Sequence, residues 1–193
     1  MAGKAGETTL HWTNNQTLVS DMYYKIIEKF GPQDHEKWAS YTQWRKLPQL
    51  TSFDSLDGIL RPDLFHPESE EDWRNCVNED FKLSLITNLA YAKKVSVRFS
   101  DVDLVGVEIE LDDGYEAGSG LLGFDIIDGY CGVSLLTNWG SDEEAIMTPY
   151  IMPNGLLGNL AQSLAIRNTL RERFPKDSHA CACQVWAVYK IDT

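Results

Sequence analysis

No lysine, arginine or histidine stands between residues 99 and 166. The same stretch carries twelve carboxylates: Asp101, Asp103, Glu108, Glu110, Asp112, Asp113, Glu116, Asp125, Asp128, Asp142, Glu143 and Glu144. The 193 residues hold 29 acidic and 17 basic side chains, so the whole net charge of −12 falls in one third of the chain. A field of that sign repels nucleic acid and anionic membrane surfaces and draws in basic protein surfaces.

Other absences narrow the field further. No apolar run approaches the ~18 residues of a membrane span. Met1 to Glu7 is small and polar and lacks the basic and apolar regions of a signal peptide, so a mobile tail and a cytoplasmic location are expected. Cysteine is sparse, at four. Cys181 and Cys183 are too close to pair comfortably, and a chain of this length needs no disulfide framework, so free and mostly buried thiols are expected. There is no internal repeat and no low-complexity segment.

The chain is expected to form one α+β domain over residues 1–193, with a mostly antiparallel sheet covered by helices on one face. Apolar residues at Leu18, Val19, Met22, Tyr23, Ile26, Ile27 and Phe30 follow helical spacing and predict a helix over 17–30. Asp34 to Arg45 reads as a second helix, with Trp38, Tyr41 and Trp44 as an aromatic stripe. Pro67 and the acidic residues after it suit the start of a helical region reaching Lys94, broken near Asn78. Alternation then predicts strands at Val95 to Phe99 and Val105 to Leu111, or one strand bent near Asp101 to Asp103. Leu121 to Ile127 and Val133 to Asn138 read as a more buried strand pair. A long helix is expected from Asn154 to Phe174, and a last strand from Ala180 to Ile191.

Glu108, Glu110 and Asp112 stand two apart, which on a strand makes a row on one side spaced about 7 Å per step. The row reads either as the solvent face of an amphipathic strand, as a docking strip for a basic partner, or as part of a metal or acid–base site. No lysine or histidine lies nearby in sequence to help catalysis. Asp101-Val-Asp103 and Asp112-Asp113-Gly114 lack the ligand spacing of a calcium loop. His179-Ala-Cys181-Ala-Cys183 would project zinc-binding side chains from one side of a strand, or pack two small cysteines on the core. Nothing in the sequence brings a histidine and an orienting acid together at Cys131 or Cys183, so a cysteine nucleophile is not indicated. Gly118-Ser119-Gly120 and Gly129 to Gly132 are too short for a phosphate cradle. The six Trp, eight Tyr and seven Phe do not interleave with basic residues, which argues against nucleic-acid stacking.

The segment Leu121 to Gly140 (LLGFDIIDGYCGVSLLTNWG), the run Asn154-Gly-Leu-Leu with its following helix, and the closing strand Cys183 to Ile191 (CQVWAVYKI) resemble a group of bacterial proteins, some similar to immunity proteins of polymorphic toxin systems. The resemblance covers roughly residues 120–191 and brings no catalytic residues with it. It implies a cytoplasmic protein, not an enzyme, that binds a toxin domain and neutralises it by protein–protein contact; the acidic charge adds the expectation of a basic toxin, for instance a nuclease. Glu108, Glu110, Asp112, Asp113 and Glu116, with Asp142, Glu143 and Glu144 as a second patch, are the expected partner-binding residues. No catalytic residue, metal or cofactor is assigned, and neither nucleic acid nor membrane is an expected partner. The alternatives are a metal-dependent enzyme built on Asp101, Asp103, Glu108 and Glu110, and a zinc module built on His179, Cys181 and Cys183.

Overall fold

The computed structural model describes residues 22–31, 34, 50–79, 82, 84–138 and 145–192. The expected tail, the helix at 34–45 (apart from Asp34) and the second acidic patch Asp142, Glu143 and Glu144 lie outside the described residues.

Four strands form one antiparallel sheet: β1 (Tyr23–Glu28), β2 (Val102–Glu108), β3 (Leu121–Ile127) and β4 (Gln184–Lys190), in the spatial order β1-β2-β4-β3. Ile26 pairs with Leu104, Val107 with Val188, and Ile126 with Val185. Helices among the described residues include α1 (Glu70–Arg74), α2 (Leu89–Ser96), α3 (Leu135–Asn138) and α4 (Leu160–Arg173), with a 3-10 turn at Thr148–Tyr150. The architecture is the α+β arrangement expected, and no described helix is long and apolar enough to cross a membrane.

The pleat sorts the core into two layers. One sheet face presents Ile26, Leu104, Phe124, Val185, Ala187 and Tyr189. α2 covers it with Tyr91, Ala92 and Val95, and α4 with Leu164, Ile166 and Leu170. The opposite face presents Ile27, Val105, Val107, Trp186 and Val188, and irregular chain buries it through Leu56, Leu85 and Leu156. That chain also occupies the sheet edges: Asp63 bridges to Ile27 on β1, and Leu157 to Phe124 on β3.

Several local expectations are overturned. The predicted helix over 17–30 is a strand from Tyr23 onward. Its pattern misled because Lys25 is buried, at 3 % exposure, and paired with Asp63 at 2.8 Å. Residues on both sides of the strand are therefore internal, and the period of two disappears. The predicted strand over Val95 to Phe99 is the end of α2, which buries Tyr91, Ala92 and Val95 and leaves Val97 in solvent. Asp101, in the left-handed region at φ 53°, then turns the chain into β2. Val133 to Asn138 makes one bridge, Ser134 to Ile127, and becomes α3. The long helix begins only at Leu160, where Asn159 caps it by accepting from the Gln162 amide. The last strand begins at Gln184 because residues 177–183 form turns instead. Pro67 precedes the first residue of α1 by three positions, and the helix cap is Ser69, reciprocally bonded with Asp72.

Candidate functional site

The fold divides the carboxylates of the acidic third into engaged and exposed groups. Asp103 faces the irregular layer and is ion-paired with Arg61. That buried guanidinium also donates to the Phe53 carbonyl at 2.9 Å and the Glu28 carbonyl at 3.2 Å. Asp125 is fully buried among the Leu56 amide at 2.7 Å, Ser134 Oγ at 2.6 Å, Ser55 Oγ at 3.1 Å and the Ile126 amide at 2.8 Å. Burial pushes its pKa up to about 6, against the pull of those donors. The network pins the irregular layer to the sheet, with Thr137 continuing it by donating to Asp57 at 2.7 Å.

Glu108 and Glu110 do not form the row expected of one strand. Glu108 turns toward the helix-covered face and accepts from Tyr189 at 2.7 Å and from Tyr115. Burial, then the bond to Glu108, pushes the Tyr115 hydroxyl far above its usual pKa. Glu110 adopts φ 58°, which ends the strand alternation, and meets Lys82 Nζ at 2.5 Å. Cations from distant parts of the sequence thus neutralise part of a stretch that has none of its own.

Asp101 is exposed at the turn into β2. Asp112, Asp113 and Glu116 are exposed together on the turn after Leu111, and among the described residues no lysine or arginine stands within ion-pair distance of them. Asp112 Oδ1 accepts from the Gly114 amide at 3.0 Å, which shapes the turn. Arg167 approaches this turn to donate to the Leu111 carbonyl at 3.1 Å.

The metal-enzyme alternative fails on geometry. Asp103 and Glu108 lie on opposite faces of the sheet, and each is bound to a different partner. The zinc alternative fails also. Cys183 is buried with its thiol toward the Arg167 carbonyl, whereas Cys181 is exposed and turned toward the Ser178 carbonyl. His179 points elsewhere, and its new neighbours correct the expectation that no histidine reaches a thiol.

Those neighbours are Asp128 and Cys131. Each of the three residues offers one ligand atom, and the three atoms lie within 4.8 Å of one another. Asp128 is buried, and its Oδ1 accepts from the amides of Tyr130 at 2.7 Å, Cys131, and Gly132 at 3.2 Å. Its Oδ2 stands 3.7 Å from His179 Nδ1. The histidine turn is shaped separately by Asp177, whose Oδ1 accepts from the amides of His179 at 2.8 Å and Ala180 at 3.0 Å. The Gly129 amide joins the two turns by donating to the His179 carbonyl at 3.2 Å, and the Tyr130 ring stands edge-on to the imidazole at 5.5 Å. Their adjacency follows from the sheet: Ile127 pairs with Gln184, so residues just after β3 meet those just before β4.

Comparison of the chain with protein-family models, with curated proteins and with solved structures gives no match.

Proposed function

We propose that this is a binding protein for a cationic macromolecule, acting as an immunity-type inhibitor that covers a basic toxin domain in the bacterial cytoplasm. The observation that carries the reading is the contrast within the acidic third. Asp103, Glu108, Glu110, Asp125 and Asp128 each meet a partner group of the same chain, whereas Asp112, Asp113 and Glu116 present charge outward together from one turn. Exposed charge of one sign speeds encounter with a surface of the other sign and selects against anionic partners such as nucleic acid. The resemblance of residues 120–191 to immunity proteins supports the same reading.

The test begins with capture from the native cells at low salt, using the wild-type chain and the triple variant D112N/D113N/E116Q. The expected result is one basic polypeptide held at equal stoichiometry by the wild type and released by the variant. Expressed alone, that polypeptide should arrest growth, and co-expression of the wild-type chain should restore it. Equal retention by the variant, or a captured polypeptide that is harmless, would overturn the proposal.

A further inference from the structure

We infer that Asp128, Cys131 and His179 form a binding site for one zinc-class transition-metal ion, held by a carboxylate oxygen, a thiolate and an imidazole nitrogen. The fourth tetrahedral position is left to water or an incoming ligand.

Three observations lead there. The donor set comes first: sulfur, nitrogen and oxygen together suit zinc and its neighbours, whereas calcium and magnesium take oxygen alone. The spacing comes second. Asp128 Oδ2 and His179 Nδ1 are 3.7 Å apart, beyond a hydrogen bond. Two such ligands on a tetrahedral ion are separated by roughly 3.4 Å, so this pair needs to close by only a few tenths of an ångström. The arrangement is also a triangle. In a catalytic relay the acid and the thiol use opposite nitrogens of the imidazole and stand roughly 7 Å apart, whereas here all three ligand atoms lie within 4.8 Å.

The third observation is the support around the ligands. Asp128 is buried and oriented by three backbone amides on the oxygen that faces away from the ion position. Outer bonds of this kind orient the ligands of metal centres. Cys131 is exposed and the His179 side chain is 41 % exposed, which gives the ion a route in. On binding, the Cys131 thiol proton passes to solvent and no electrons move.

The experiment uses the full chain stripped with a chelator and titrated with Co2+, then Zn2+. The wild type should take up one Co2+ with an intense thiolate-to-cobalt charge-transfer band, and equimolar Zn2+ should erase it. C131S should lose the band and bind Zn2+ about 100-fold more weakly or worse. H179Q should also weaken uptake, while C181S keeps both the band and the affinity. Cys131 lies on an exposed turn, so C131S should keep the metal-free melting temperature. Absence of the band in the wild type, its survival in C131S, or its loss in C181S would overturn the assignment.

Discussion

The Tyr91 hydroxyl donates to Asp72 Oδ1, so the carboxylate that closes the capping box of α1 also ties down α2. The bond from Tyr91, followed by that from Ser69, holds the Asp72 carboxyl well below its usual pKa. A depressed carboxyl contributes stability that is present above the unfolded pKa and is lost as pH falls below it. Y91F should therefore cost about 1–2 kcal/mol near neutral pH. It should also flatten the loss of stability below about pH 4. Urea denaturation of both proteins near neutrality and at about pH 3 checks this; an unchanged acid limb would refute it.

Lys25 and Asp63 form an unequal pair: the ammonium is buried, while the carboxylate is partly exposed and also accepts from Ser84 Oγ at 2.8 Å. D63N leaves a buried charge without its counterion and should destabilise by about 3 kcal/mol or more. K25M removes the charge and fills the space, so its cost should be within about 1 kcal/mol. Equal losses in the two variants, measured by chemical denaturation, would contradict the asymmetry.

Asp125 acts in the opposite direction to Asp72. Its pKa is raised from 3.8 to about 6, so the folded chain holds a proton that the unfolded chain releases between those values. Stability should therefore fall as pH rises across that window. D125N should abolish that slope and cost about 1–3 kcal/mol, because an amide NH2 would face donors that now meet oxygen. A melting-temperature series from about pH 4 to pH 7 for both proteins reads the slope directly.

Gly129 is pressed against Ala182. A Cβ at position 129 would collide with the Ala182 side chain and stand 2.6 Å from its carbonyl oxygen. G129A should force the 128–132 and 177–182 turns apart and cost about 1–3 kcal/mol. If the metal assignment holds, the variant also loses Co2+ affinity, since the ligands come one or more from each turn. Unchanged stability in thermal unfolding would show that the turns are not locked.

Legibility followed burial. β3 falls on the residues that the apolar run Leu121 to Ile127 marks out, because a buried strand needs no alternation to be recognised. The predicted last strand is trimmed, but its core, Gln184–Lys190, is the strand observed. β1 was not legible, since the buried Lys25 breaks the period that would have marked a strand. The irregular layer was not legible either, because its order comes from long-range bonds such as Leu56 to Asp125. At the site, His179 stands out in the sequence, but its neighbours there are Cys181 and Cys183. The residues that meet it, Asp128 and Cys131, lie about fifty positions upstream. Pairing β3 against β4 was the signal that could have joined them.

The interposed position of β4 bears on how the molecule assembles. β2 and β3 follow each other in the chain yet never touch as neighbours, because β4 separates them. A nascent chain that stops short of residue 184 holds the β1–β2 pair and β3 apart, each lacking the neighbour that β4 supplies. Closure is then a late, non-local event. Refolding should be slow for a protein of this size, because the last strand must find two partners distant in sequence.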